Sequence, residues 1–483
     1  MLFNSPQFIF AFLPIVLFTS CVLAGLREEM LLLMWLIGAS LAFYAWDDPY
    51  RLLPLILSSI AFNFIVGRLL LVNHNSKLLA FGVGGDLLLL GYFKYSGFLV
   101  ETFNWATGSS FPKPNVDLPI GISFFTFTQI AFLVDAYRSE AREYEPARYT
   151  LFVSFFPHLI AGPIYYHREI MPQFHPGSFR FDIMNFGFGL TWFALGLAKK
   201  VLLADFIAQY ATPVFKAAAG GSSVGLIDAW IGACSFALQL YFDFSGYSDM
   251  AIGLAMMMGV RLPINFNSPY KAHSLIEFWR RWHMTLSRFL RDYLYFPLGG
   301  NRKGPLRRYI NLLITMLLGG LWHGAAWTFV IWGAIHGFGL MLNHAWSKLA
   351  PKSGVRLATP VAWALTLIFV ILAWVPFRAD SISAALTIWK SMAGLNGLLG
   401  AETAVTQQIT ICAICISGLF ALALFAPNTQ HILSYPPVII GGLRQQIRWS
   451  PSLIRAISIG VLFGITLSVI VSHRPSEFLY FRF

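Results

Sequence analysis

Long stretches of this chain carry no formally charged side chain. Runs free of Asp, Glu, Lys and Arg cover residues 2–26, 30–46, 52–67, 118–134, 149–167, 183–198, 229–242, 309–347, 357–377, 403–443 and 456–473. Apolar residues follow one another within them without sustained alternation, which argues against the strands of a membrane β-barrel. A helix that spans a bilayer needs about 20 apolar residues, with about 17 as the lower limit. The shorter runs predict helices that tilt, extend past a flanking charge or insert only partly. The runs 309–347 and 403–443 are each long enough for a helical pair. The pattern predicts an all-α integral membrane protein with about eleven to thirteen tilted membrane segments, forming a single multi-spanning domain over residues 1–483.

Polar interruptions mark the joints. The first hundred residues read as four helices with short turns, and Asp86 and Lys94 interrupt the fourth, where they can pair or snorkel. Residues 101–117, with Pro112 and Pro114, read as an exposed loop, and residues 135–148, with seven charges, as a second. The run 149–167 contains FFPHLIAGPIYY, in which Pro157 and Pro163 break helical hydrogen bonding. Non-helical backbone at membrane depth must be satisfied by protein or water, so this segment predicts a buried cavity or a re-entrant turn.

Composition agrees with the pattern. The chain is 57% hydrophobic and 12% charged, against about 25% charged in a soluble domain. The net charge of +12 then reflects the excess of Lys and Arg on cytoplasmic loops rather than nucleic-acid binding. Residues 2–26 lack a basic start and a small-residue cleavage site and read as a retained helix. Without that basic start, LFTSC at 17–21 is not taken as a lipoprotein box. Cys412 and Cys415 form a CxxC with no further ligands nearby, so they, Cys21 and Cys234 read as small hydrophobes and no metal is expected.

Residues 265–308 depart most from the apolar background. Lys271, Arg280, Arg281, Arg288, Arg291, Arg302, Lys303, Arg307 and Arg308 stand there against Glu277 and Asp292. Phe278, Trp282, Leu286, Phe289, Leu290 and Tyr293 recur at helical spacing, which predicts a basic amphipathic helix at the cytoplasmic interface. Anionic lipid is one ligand for such a surface, at about 1 kcal/mol per basic residue. The sharper reading is a docking site for a donor's phosphates on Arg280, Arg281, Arg288, Asn301, Arg302 and Lys303. GGNRKG (299–304) is flexible enough to cradle a phosphate but lacks the GxxxxGK[ST] pattern.

Several ionisable groups lie inside apolar segments, where they are costly and mark function by default. Asp243 and Asp249 occur in YFDFSGYSDMAIG (241–253), His158 lies between the two prolines, and His323 and His336 fall in GGLWHGAAWTFVIWGAIHG (319–337). On one straight helix the last two would be separated by about 20 Å and roughly 220° of rotation. Either they serve different purposes or the helix breaks between them. Gly319 and Gly320 permit a bend just before Trp322-His323-Gly324. A buried imidazole is favoured in its neutral form, ready to accept a proton as a general base does. The bland alternative is a histidine hydrogen-bonded across helices. His283, in FWRRWH, either lies on the surface of an interfacial helix or faces inward with Trp279 and Trp282. A transporter or an export-complex scaffold stays open on the residues alone, although neither an internal repeat nor a ladder of carboxylates is evident.

The motifs LPIGISFFTF (118–127), FPHLIAGPI (156–164), LYFDFSGYSDMAIG (240–253), EFWRRWHMTLSRFLRDYLYFPLGGNRKG (277–304), GGLWHGAAWTFVIWGAIHG (319–337) and the terminal FLYFRF resemble, in consistent order, the membrane-bound O-acyltransferase family. They are most similar to its bacterial alginate O-acetyltransferase branch. The resemblance implies a ring of helices with re-entrant and amphipathic segments around a central tunnel, and a catalytic core at about 118–345. It implies His323 as the catalytic histidine and His283 in the same funnel. Trp322, Trp282, His158, Asp243 and Asp249 are then candidates to line the tunnel. It further implies acetyl-CoA or another acyl thioester as cytoplasmic donor, no permanently bound cofactor, a periplasmic acetyltransferase partner and a place in the bacterial inner membrane. The acceptor it implies is an exported polysaccharide: alginate first, cellulose or peptidoglycan as alternatives, with teichoic-acid D-alanylation more distant. Residues 380–450 carry no recognisable signature.

Overall fold

The computed structural model describes residues 1–141, 145–175, 182–353, 357–399, 409–435, 452–472 and 476–479, with side chains at 351–353 set aside. Among them the secondary structure is helical throughout. Among the described residues five helices are long and apolar enough to cross a membrane: Phe8–Leu26, Pro49–Asn73, Ser76–Thr107, Thr359–Arg378 and Leu453–Ser472. Three shorter apolar helices accompany them, Glu29–Tyr44, Ile122–Tyr137 and Ile409–Phe425. The count is smaller than the number of charge-free runs because several runs fold as broken or polar-studded helices. Large apolar side chains stay outside, among them Phe18, Val72, Leu88, Ile454 and Val471. Such exposure has no place in water and fits a hydrocarbon solvent.

The chain divides into two compact units. Unit 1 comprises Met1–Ala198, Gly246–Ile264 and Thr429–Phe481; unit 2 comprises Lys199–Ser245, Asn265–Asn428 and Arg482–Phe483. The helix Leu226–Met257 contributes to both and is buried at every position from 235 to 257. That environment explains its composition, apolar on all sides with polar groups spent on internal bonds.

In unit 1, the first hundred residues form the four expected helices, the fourth continuing through a π-helical turn at Gly91–Tyr95 to Thr107. Helix therefore extends into the polar stretch read as a loop, and its Glu101 pairs with Lys113 beyond it (2.6 Å). Asp86 and Lys94 do not pair with each other: Asn63 donates to the Asp86 carboxylate (2.7 Å), and Lys94 donates to Ser123 (3.3 Å). Residues 149–167 are broken as expected. The helix Pro146–Ser154 is followed by one turn, Phe156–Leu159, and then by non-helical chain that is buried throughout. Phe478 of the terminal aromatic motif is also buried, edge-on to Tyr247 (centroids 4.5 Å); residues 480–483 lie outside the described residues.

In unit 2, the helices Gly304–His323 and Trp327–Ser353 form a tight hairpin. A Cβ on Gly320 would stand 2.3 Å from the Phe329 carbonyl oxygen, and one on Gly333 would stand 2.4 Å from that of Met316. Glycine at both positions lets the two backbones touch. The second expected helical pair begins as Ile409–Phe425 and a turn at Thr429–Ile432; residues 436–451 lie outside the described residues.

Candidate functional site

The break between His323 and His336 is real. The first helix of the hairpin ends on His323, residues 324–326 are non-helical, and the second helix starts at Trp327. Gly324 forms the corner, where a Cβ would lie 2.1 Å from the Phe329 ring and displace it. His323 is therefore the last residue of a helix that begins in the basic loop, and it turns into a nest of rings. Its ring centroid lies 5.0 Å from Trp322, 5.1 Å from Trp332, 5.2 Å from Phe377 and 6.3 Å from His283. His323 is 3% exposed, whereas His283 and His336 are fully buried.

His283 reaches this nest through a corner. Continuous amphipathic helix was expected across residues 278–293; the structure has two short helices, Leu275–Trp279 and Met284–Leu290, followed by a π-helical turn. His283 stands between them with φ +41° and ψ 54°. This left-handed conformation is costly for a residue with a Cβ and persists only where its surroundings hold it. Asn265 does so. Its backbone carbonyl accepts from the Met284 N–H (2.9 Å), and its side-chain Oδ1 lies within reach of three donors. These are the Thr285 N–H (3.3 Å), the Thr285 hydroxyl (2.9 Å) and His283 Nδ1 (3.0 Å). The Thr285 amide can only donate, which identifies the atom facing it as the carbonyl oxygen. His283 must then donate from Nδ1, and Nε2 carries the lone pair. Phe244 covers the imidazole edge-on (centroids 4.7 Å).

His336 is held differently. Trp279 donates its indole N–H to His336 Nδ1 (3.3 Å), and Trp332 packs between His336 and His323 (centroids 4.8 and 5.1 Å). Trp282 is buried against Phe278 and Trp374.

The remaining candidates are dispersed. Asp243 forms a buried ion pair with Lys200 (2.6 Å), which also reaches Asp205 (2.8 Å). Asp249, in unit 1, accepts from Trp192 Nε1 (2.9 Å) and from the Thr429 hydroxyl (2.7 Å). His158, also in unit 1, is fully buried against Tyr165. Arg281 is committed to Glu277 (2.8 Å) and the Asn267 carbonyl (3.2 Å). Arg288 is partly buried, while Arg280, Asn301, Arg302 and Lys303 are exposed. The four cysteines are free, with Cys412 buried and the others partly so. No group able to hold a metal ion occurs among the described residues. Asn265, Phe244, Trp332 and Phe377 were not singled out from the sequence, because neither spacing nor charge distinguishes them from packing residues.

Fold and site together define a multi-pass integral membrane protein with an imidazole cluster at the broken ends of its helices. The model of the MBOAT, membrane-bound O-acyltransferase, family matches residues 28–380. The chain belongs to that family and is a membrane-bound O-acyltransferase. It is 40% identical to the peptidoglycan O-acetyltransferase of Helicobacter pylori, over 100% of this chain and 98% of that protein. It is also 40% identical to the probable alginate O-acetylase AlgI of Pseudomonas putida, over 100% of both. A teichoic acid D-alanyltransferase of Streptococcus thermophilus is 28% identical over 47% of this chain and 57% of its own length.

Proposed function

We propose that the protein takes an acetyl group from a cytoplasmic thioester, acetyl-CoA, and passes it through the inner membrane for O-acetylation of an exported polysaccharide of the alginate type. The observation that carries the reading is His323 at the end of its helix, 6.3 Å from the His283 ring. In the proposed step His323 takes the proton of an acceptor hydroxyl. The oxygen then bonds to the acyl carbon, the carbon–sulfur bond breaks, and the leaving thiolate receives the proton. A placed base contributes about 10²- to 10⁴-fold to such a transfer. His283, with its Nε2 lone pair, orients or stabilises the reacting groups. A serine on a periplasmic partner is the immediate acceptor and relays acetyl to the polymer. The flanking rings keep water from the thioester.

Full-length similarity to a peptidoglycan O-acetyltransferase supports a second acceptor, the hydroxyls of peptidoglycan. Replacing His323 with Ala, at unchanged protein level, is expected to abolish acetate on the exported polymer, and undiminished acetylation would refute the assignment. Acetate measured separately on exopolysaccharide and on peptidoglycan of that strain selects the acceptor.

A further inference from the structure

Two of the rings that crowd His323 also touch each other. Trp332 stands edge-on to the imidazole (centroids 5.1 Å, 89°), Phe377 does likewise (5.2 Å, 70°), and the two are 5.2 Å apart. Edge-on rings at about 5 Å are in van der Waals contact, so Trp332 and Phe377 form one continuous wall against His323. His283 stands farther off, at 6.3 Å. All of these residues belong to unit 2.

The wall is braced from behind. Trp374 stacks on Trp332 (5.8 Å, 18°) and meets Phe377 edge-on (5.2 Å, 81°). Phe329 meets Phe377 edge-on as well (5.0 Å, 82°), and its ring occupies the place that a Cβ on Gly324 would need. The glycine corner thus makes room for a ring that holds the wall in place. Trp332, Trp374 and Phe377 are each at most 2% exposed. An interior packed in this way does not take an added methylene without moving a side chain.

These contacts bear on the acyl group. In the transfer proposed above the acceptor oxygen is hydrogen-bonded to His323, and the acyl carbon lies about 3–3.5 Å from that oxygen. Whatever is attached to the acyl carbon is therefore brought to the rings that flank His323. A methyl group ends there. A longer chain has to displace Trp332 or Phe377 together with the rings behind them.

We propose that Trp332 and Phe377 set the length of the acyl group that this enzyme transfers, admitting acetyl and shutting out propionyl and longer chains. The inference rests on the acyl-transfer reading with His323 as base and adds to it the residues that select the acyl class.

The test compares chain lengths within one protein, so the amount of folded enzyme cancels. Permeabilised cells carrying the full-length protein are supplied with acetyl-, propionyl- or butyryl-CoA, and the rate of thiol release is read, less that of cells carrying His323→Ala. Thiol release reports the first transfer, before any later step on the polymer. The wild type is expected to prefer acetyl over butyryl by tenfold or more, since apolar pockets discriminate a single methylene by about 10- to 200-fold. Phe377→Ala opens the wall and is expected to raise the butyryl-to-acetyl ratio at least tenfold. Trp332→Phe keeps a ring in place and is expected to raise the propionyl-to-acetyl ratio, and it carries the test if Phe377→Ala is inactive with every donor. Phe369, whose ring meets His336 (5.7 Å), is the control, and Phe369→Ala is expected to leave both ratios unchanged. A wild type that uses butyryl-CoA as fast as acetyl-CoA overturns the proposal. So do ratios that stay fixed in both wall variants, or that rise equally in Phe369→Ala, which would mean general loosening. A wild type with no His323-dependent release from acetyl-CoA refutes the acyl-transfer reading itself and this inference with it, whereas fixed ratios with that release intact refute the inference alone.

Discussion

His283 occupies a backbone conformation that few residues with a side chain adopt, and one amide holds it there. Asn265 Oδ1 accepts from the imidazole, from Thr285 Oγ1 and from the Thr285 amide, and all of these groups are buried. Replacing Asn265 with Ala leaves those donors without their acceptor, a loss of about 1–3 kcal/mol for each buried group. Asn265→Asp keeps an acceptor and places a negative charge beside the ring, which favours the imidazolium. If His283 works through its Nε2 lone pair, Asn265→Ala lowers kcat by about tenfold or more. Asn265→Asp then restores part of that loss and moves the acid limb of the pH–activity profile to higher pH. A purely structural role predicts lost stability in Asn265→Ala and an unshifted profile in Asn265→Asp, so the pH profile of acetyl transfer decides. Asn265 was not legible in the sequence. It lies eighteen residues from His283 in a stretch, NFNSPY, that has no periodicity and reads as loop. His323 and His283 were legible because imidazoles stand out where a chain otherwise avoids polar groups.

At the level of elements, the hairpin depends on contact between backbones. Gly320 and Gly333 face carbonyl oxygens of the opposite helix at distances that no Cβ tolerates. Alanine at either position must push the helices apart, at Gly320 on the turn that carries His323 and at Gly333 against Met316, with an overpacking cost of about 1–3 kcal/mol. Gly418, in the helix Ile409–Phe425, has open space where its Cβ would be, and alanine there should stabilise by up to about 1 kcal/mol through helix propensity. Thermal melts of Gly320→Ala, Gly333→Ala and Gly418→Ala in one detergent check this. A fall for the first two and none for the third is expected; equal falls would show that the contact does not hold the hairpin. The charge-free run 309–347 is long enough to announce a helical pair, but glycines are spread along it, and only the contacts show that the corner falls at 324–326. The basic segment misled in the opposite sense. Its apolar residues keep helical spacing across a corner, because spacing does not register one left-handed residue.

For the whole molecule, apolar runs advertise helices without saying which helices meet. Unit 1 is assembled from three separated stretches of chain, and no periodicity encodes such returns. What the sequence does carry is an orientation. Arg302, Lys303, Arg307 and Arg308 cluster at the start of the hairpin, Lys348 lies near its end, and residues 309–347 between them have no charge. A hairpin with cations at its open end and none at its apex is stable with the open end at a membrane face and the apex within. His323, about 22 Å along the helix from Arg308, then lies short of the roughly 30 Å hydrocarbon thickness. The excess of Lys and Arg predicts that the open end faces the cytoplasm. On the proposed reading, orientation sets the direction of acetyl flow, since a donor drawn to the basic end would reach the imidazole from that side. Lys303, exposed in the basic loop, is the position to test, as cysteine in a chain whose four native cysteines are replaced. In cells with a permeabilised outer membrane, a membrane-impermeant maleimide should leave Cys at 303 unlabelled, while the same reagent labels it after lysis. Labelling before lysis would turn the hairpin over, put its basic end outside, and contradict entry of a cytoplasmic thioester from that end.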